Sequence, residues 1–289
     1  MAPSDLLARC TFPAPGTSVV CALSGGPDST ALVALAVHAD LAVRAVHVHH
    51  GLRHTADDDA DRARLIADRL GVTFEAERVT VAPGANLEAR ARSARQSVLG
   101  ADAMTGHTAD DQAETVLLQL LRGSGATGLA AMRPGPRHPI LGLRRSETHA
   151  LCEALDLRPA IDPSNHDARF RRNRVRHELL GLMADIADRD PVPILARTAD
   201  LVRDDDDFLD TLAEELDPTD ARALAAAPRP IARRAVRRLL GREPHPPDLA
   251  AVDRVLAVAD GSTLACEVAG VGRVVRSQQR LRIERHRSI

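Results

Sequence analysis

The sequence predicts an α/β fold: a parallel, Rossmann-like sheet with helices on both faces, followed by a smaller, mostly helical domain that ends in a short sheet. Two observations carry this. Strand and helix signals alternate through the first half, with strands expected at 17–23, 42–48, 72–79 and 102–106 and helices at 28–39, 56–70, 86–99 and 110–121. A βαβα order of this kind implies parallel strands joined by helical crossovers. The second observation is local. An apolar run, Val19 to Leu23, meets a Gly-Gly turn and then a second apolar run, Ala31 to Val37. The first reads as a buried strand and the second as a buried helix.

The later elements follow the same logic. Helices are expected at 146–157, 178–190, 194–216 and 229–240. Asp162-Pro163-Ser164-Asn165 is a turn signal, and Asp190-Pro191-Val192-Pro193 is a domain boundary, which divides the chain into 1–190 and 191–289. Residues 244–247 form a linker or turn. Residues 263–284 alternate and contain Gly270 and Gly272, the pattern of a small sheet.

Composition narrows the class. The chain has 289 residues, 44% of them hydrophobic, enough for one large domain or two modest ones. Its longest apolar runs fall well short of the ~20 residues of a membrane span, and the N-terminus lacks the basic start and apolar core of a signal peptide. Cys10, Cys21, Cys152 and Cys266 are scattered, without a C-x-x-C pair. They read as reduced core thiols of a cytoplasmic protein. Aromatic residues make up 1%, so stacking on a base must use Phe, His or an Arg plane. Every basic residue is Arg. The net charge of −2 argues against a general nucleic-acid binder, but the charge is uneven. Residues 169–177 hold five arginines, and residues 221–289 hold 14 Arg against 6 Asp plus Glu. Such patches suit one polyanion held in a defined place.

Three chemically unusual segments fall at strand ends: Ser24 to Ser29, His47 to Arg53, and Gly106 to Asp111. In an open parallel sheet, ligands bind beyond the carboxyl ends of the strands, so these segments are expected to share one crevice. In the first, the Ser24 and Ser29 hydroxyls and the Gly25 and Gly26 amides can donate to phosphate, helped by the helix N-terminus behind them. It lacks the Lys of a Walker loop. Asp28 is an anion beside an anion site. It either holds Mg²⁺ against the phosphates or caps the helix. In the third segment, Thr108 or Asp110 can cap the helix. Asp111 and Glu114 share a face at i and i+3, as Asp110 and Glu114 nearly do at i+4. Clustered acids of this kind suit a metal or a cationic substrate group. His49 and His50 alternate across the strand, which argues against a zinc site. The arginines of 169–177 read as phosphate ligands ahead of the alternative, an exposed helix face, with Phe170 as a stacking ring or an anchor. Arg233, Arg234, Arg237 and Arg238 make a helix stripe that suits either an RNA backbone or solvent.

Ser24-Gly25-Gly26-Pro27-Asp28-Ser29 resembles the pyrophosphate loop of the ATP pyrophosphatases, and Gly106-His107-x-x-Asp110-Asp111-x-x-Glu114-Thr115 resembles the second motif of their tRNA(Ile)-lysidine synthetase branch. His49-His50-Gly51-Leu52-Arg53, Asn86 to Arg92, Leu121 to Gly125, Arg145-Ser146-Glu147, Asp162 to Asn165 and Arg172 to Arg176 are similar to further motifs of that family, in order, over residues 17–180. The resemblance implies ATP and Mg²⁺ as cofactors, with L-lysine and tRNA(Ile) bearing a CAU anticodon as substrates. It implies nucleotide contacts from Ser24 to Ser29, His50, Arg53, Gly106 and His107, and catalytic roles for Asp28, Asp111, Glu114 and Arg122. Substrate contacts would come from Asp110, Asp111, Glu114, Arg122, Arg145, Asn165, Arg171, Arg172, Asn173, Arg174 and Arg176, and Asp28 would hold the metal. Residues 191–289 would bind tRNA. The rivals are a tRNA thiolation enzyme of the same superfamily, which would be expected to carry cysteine pairs, an amidotransferase-type synthetase, for which no glutaminase segment is seen, and an ATP-binding module without turnover. The chain ends sooner than longer family members. Oligomeric state is open, a homodimer being one option.

Overall fold

The computed structural model describes residues 2–49, 56–79, 90, 94, 97–160, 167–241 and 247–284. The chain divides into two compact units, 1–201 and 202–289. Among the described residues, no helix is long and apolar enough to cross a membrane.

The first unit is built on a parallel sheet of β1 (Ser18–Ala22), β2 (Ala42–His49) and β3 (Thr73–Arg78), in the order β1-β2-β3. Cys21 lies opposite Ala45, and Ala45 opposite Phe74. Helices α1 (Pro3–Leu7), α2 (Pro27–His38) and α3 (Ala56–Arg69) accompany the strands. Every residue of α2 from Ser29 to Ala36 is buried, so the helix shows no polar face. Its Leu32, Val33 and Leu35 share a core with Leu23, Ile140, Leu143 and Leu151. This explains why the sequence run is continuously apolar rather than periodic. β3 is mostly exposed, and its Glu75 pairs with Arg44 of β2, the charged character that blunts an edge strand.

The expected strand at 102–106 is reduced to one bridge. Met104 accepts from Ala22 N at 2.9 Å and donates to Val20 O at 2.8 Å, parallel to β1 on the side away from β2. Gly106 and His107 leave the ladder at once to enter the next helix, which cuts the strand short. The pairing still matters. The chain steps outward from β1 to β3, then returns to the other side of β1. The reversal places a crevice at the carboxyl end of β1. Most of the expected helix 86–99 lies outside the described residues.

The rest of this unit is helical: α4 (Ala109–Leu121), α5 (Ala126–Leu129), α6 (Arg145–Ala154), α7 (Arg171–Arg174), a π-helical turn at Val175–Leu179, α8 (Leu180–Ala187) and the start of α9 (Val192–Glu214). Asp190 Oδ1 accepts from Val192 N at 3.0 Å where α9 begins.

The second unit packs α10 (Ala221–Ala226), α11 (Arg229–Leu240) and α12 (Leu249–Asp260) with an antiparallel sheet of β4 (Ala265–Val268), β5 (Gly272–Ser277) and β6 (Arg280–Glu284). Val236, Val252, Val255 and Val274 are fully buried in its core. The sequence reading left α12 unassigned, although its ends carry ordinary signals. Asp248 accepts from Ala251 N at 2.6 Å, and Gly261 follows at φ +89°. The arginine stripe of α11 is largely absorbed by the unit itself. Arg233 grips Asp253 through two 2.8 Å bonds, Arg234 pairs with Asp206 and Asp210, and Arg238 donates to the carbonyls of Ala213 and Leu216. Arg237 is exposed.

Candidate active site

The crevice is framed by the loop Ser24–Ser29, the N-terminus of α4 and the start of α6. The loop closes on itself. Ser29 Oγ lies 3.0 Å from Ser24 Oγ, accepts from Ser24 N at 3.2 Å and donates to the Gly26 carbonyl at 2.9 Å. Gly26 is the N-cap of α2, with Pro27 in its first turn. Gly25 adopts φ +89°, and a Cβ there would meet the Asp59 carbonyl at 3.3 Å. Gly106 is tighter still. A Cβ would stand 2.6 Å from the Asp28 carbonyl oxygen and 2.9 Å from Ser29 N. Only glycine lets the second motif lie this close to the first.

Asp28, expected as a metal ligand or a helix cap, does not cap α2. Its Oδ1 accepts from Thr148 Oγ1, and its Oδ2 from Arg145 Nε at 3.3 Å. Burial pushes its carboxyl above the usual range, opposed by the Thr148 and Arg145 bonds. A carboxylate has about four acceptor positions. With one partner on each oxygen among the described residues, Asp28 retains room for a cation. No group of three or more His, Cys, Asp or Glu side chains there could hold a metal ion by itself. One carboxylate plus nucleotide phosphates is the usual setting for Mg²⁺, so the donor chemistry fits.

Thr108 proves to be the cap of α4. Its backbone N and Oγ1 both donate to Asp111 Oδ2, at 2.9 and 3.0 Å. Asp111 Oδ1 accepts from Arg145 Nη2 at 3.0 Å and Arg172 Nη2 at 3.1 Å. Glu114 is fully buried. It accepts from Arg145 Nη1 at 3.2 Å, from Arg172 Nε and Arg176 Nε at 2.6 Å each, and from Arg176 Nη2 at 3.3 Å. Burial raises the Asp111 carboxyl, but the charges of Arg145, Arg172 and His107 and the Thr108 amide outweigh it and leave it below the usual range. Burial likewise works against the charged form of Arg145, and the surrounding Asp111, Glu114, Asp28 and Asp110 more than restore it.

Apolar packing brings these charges together. Ala109, Ala113 and Leu117 form one stripe of α4, packed against Val175, Leu180 and Val192. With that stripe seated, Arg172 and Arg176 lie against Asp111 and Glu114. Most arginines of this segment already have carboxylate partners. Arg172 and Arg176 are counter-ions of α4, Arg174 pairs with Glu178 at 2.8 Å, and Arg169 pairs with Asp167 at 2.7 Å. Asn173 Nδ2 donates to the Asp167 carbonyl at 3.0 Å, and Arg171 is exposed.

Two other expected residues stand elsewhere. Asp110 is turned to structure: it accepts from Arg144 Nε and Nη2 at 3.0 and 3.1 Å and from Arg145 N at 2.8 Å, fixing the start of α6. Burial raises its carboxyl, and these bonds bring it below the usual range. Arg122 is exposed at the C-cap of α4, eleven residues from Asp111, about 16 Å along the helix. His50, Arg53 and Asn165 lie outside the described residues.

His107 and His138 meet edge to face at 5.0 Å, their Nδ1 atoms 2.8 and 2.7 Å from Thr105 Oγ1. His47 is a core residue, its Nδ1 2.9 Å from the Leu23 carbonyl and its pKa lowered by burial. Sequence reasoning missed Thr148 and His138. The spacing of Thr148 from Arg145, i and i+3 on one short helix, was a usable signal. His138 had none.

Residues 5–183 match the model of the PP-loop domain. The tRNA(Ile)-lysidine synthase of Nocardia farcinica is 42% identical over 86% of this chain and 85% of its own length. The chain belongs to the tRNA(Ile)-lysidine synthase family. Members from Rhodococcus erythropolis and Thermobifida fusca are 45% and 40% identical, over 77% and 78% of this chain and 74% and 76% of theirs. Among solved structures, the U34-tRNA thiolase NcsA of Methanococcus maripaludis, described with its [4Fe-4S] cluster, matches at a TM-score of 0.57 and 16% identity, over 70% of this chain and 78% of that one. At that identity, the likeness speaks for the fold alone.

Gly106→Ala should displace the loop backbone and weaken binding of a non-hydrolysable ATP analogue by roughly tenfold or more in calorimetry, since small misplacements at such sites are costly. An unchanged affinity would mean that the close approach is not needed. Asp110 has a lowered folded pKa. Its stabilisation is therefore complete above the unfolded value of about 3.9 and is lost as pH falls through the folded one. Asp110→Asn should lower stability at pH 7 and flatten the acid limb of urea-midpoint against pH, below about pH 5. An acid limb as steep as the parent's would contradict this.

Proposed function

We propose that this chain ligates lysine to C2 of the wobble cytidine in tRNA(Ile) with a CAU anticodon, using ATP and yielding lysidine, AMP and pyrophosphate. The observation that carries the reading is the meeting, in one crevice, of the pyrophosphate loop with Asp28 and of the acidic pair Asp111 and Glu114, bridged by Arg145. One end suits a triphosphate and the other an amine. Family membership supports the same reading.

The chemistry follows in two steps. The cytidine O2 attacks the α-phosphorus of ATP, the α–β bridge breaks and pyrophosphate leaves. The ε-amine of lysine then attacks C2, AMP carries away the oxygen, and the amine gives up its extra proton. Ser24, Ser29 and the glycine amides hold the phosphates while Gly106 keeps the loop against α4. Bound at Asp28, Mg²⁺ would neutralise charge on the departing pyrophosphate. Asp111 and Glu114 are carboxylate acceptors that an ammonium can use in place of one of the guanidiniums they now hold. Residues 1–190 would act as the catalytic domain and 191–289 as the tRNA-binding domain. The thiols favour this reading over sulfur transfer. Burial pushes Cys21 and Cys152 up to about 12 and Cys10 up to about 11, away from the thiolate that sulfur chemistry needs.

The test is incorporation of labelled lysine into tRNA(Ile) with a CAU anticodon, given ATP and Mg²⁺. Label should require both ATP and the wobble C, and Asp28→Ala should abolish pyrophosphate release. Folded protein that releases pyrophosphate with this tRNA yet incorporates no lysine would move the second substrate elsewhere.

A further inference from the structure

The acceptors expected to receive lysine are fully used. Glu114 takes four guanidinium bonds on its two oxygens, and Asp111 takes two from arginine and two from Thr108. Four is about the capacity of a carboxylate. An ammonium cannot be received there until a guanidinium leaves.

The three arginines are not held equally. Arg172 and Arg176 each reach Glu114 at 2.6 Å. Arg145 spreads over three carboxylates, and its bonds are 3.0, 3.2 and 3.3 Å. Charge-assisted bonds of good strength run near 2.7–2.9 Å, so Arg145 lacks the one short contact that Arg172 and Arg176 each make beside their own longer bonds of 3.1 to 3.4 Å. Its backbone is fixed, because Asp110 accepts from Arg145 N at 2.8 Å. The side chain can swing while the helix stays. Of the three arginines, Arg145 is also the one bonded to Asp28 beside the phosphate loop.

We propose that Arg145 is a positioning residue that keeps the amine subsite filled until nucleotide binds. On arrival of ATP with its Mg²⁺, Asp28 exchanges Arg145 for the metal, and the guanidinium is drawn to the phosphate chain. Its departure uncovers one acceptor on Asp111 Oδ1 and one on Glu114 Oε1. A lysine ammonium takes both, one cation replacing another without a change of charge. The order has a use: the amine is admitted only when the adenylating substrate is present. The inference rests on the lysidine reading above and deepens it.

Linkage supplies the test, since two ligands that share a gate must each tighten the other. Calorimetry of L-lysine binding to the whole protein, with and without Mg²⁺ and α,β-methylene-ATP, should show lysine bound about tenfold or more tighter with the analogue. Saturating lysine should tighten the analogue by the same factor. In Arg145→Met, lysine should bind without nucleotide, and the ratio should fall to about twofold or less. Arg145→Lys guards against a folding failure of the first variant. Its donors sit on one nitrogen instead of a planar fork and cannot reproduce the guanidinium's geometry, so its ratio should also fall well below the parent's. A ratio near one in the parent protein, or a parental ratio kept by these variants, would overturn the proposal. Lysine binding without coupling, alongside normal lysine incorporation, defeats the gate alone. No lysine binding under any condition, together with no incorporation, defeats the lysidine reading as well.

Discussion

Without nucleotide, one guanidinium bridges the crevice. Arg145 of α6 reaches Asp28 at the start of α2 and both Asp111 and Glu114 on α4. Three elements distant in sequence meet on one planar group. Its five donors in a fixed planar fork serve three carboxylates from one side chain. The surroundings balance it: the carboxylates of Asp28, Asp111 and Glu114 face the guanidiniums of Arg145, Arg172 and Arg176. A buried cluster of this kind contributes little net stability, but breaking one partner costs about 3–5 kcal/mol. It fixes geometry more than it strengthens the fold.

The cluster depends in turn on ordinary packing. α2, buried from Ser29 to Ala36, sets the direction of the phosphate loop, and the bare Cα of Gly106 lets α4 start against it. Ala109, Ala113 and Leu117 then seat the segment around Val175 and Leu180. Small residues on this stripe bring the backbones near enough for arginine to span the gap. Apolar burial thus decides which charges meet, and the charges decide what the crevice can bind.

This hierarchy explains what was legible in the sequence. The strand–loop–helix unit around Ser24–Ser29 is local, so its residue types declare it. Asp111 and Glu114 were visible as one helix face. Their partners were not, because Arg172 and Arg176 lie 58 and 62 residues beyond Glu114 and look, by composition, like ligands for phosphate. Asp110 was grouped with its neighbours because i to i+4 spacing cannot tell which flank of the helix meets α6. Arg122 lies exposed at the far end of α4, at a separation from Asp111 that the sequence spacing already sets. The stripe on α11 shows the same effect: four arginines on one helix suit RNA or solvent by spacing alone, and neither reading foresees Asp206 and Asp253 folding beside them. Long-range ion pairs are set by tertiary packing, and a single sequence carries that information only weakly.

The most direct measurement is a pair of crystal structures, one without nucleotide and one with Mg²⁺ and α,β-methylene-ATP bound. Arg145 should lie on Asp28, Asp111 and Glu114 in the first. In the second the guanidinium should be off Asp28, with Arg172 and Arg176 still on Glu114. Arg145 unmoved beside a bound nucleotide would contradict the exchange.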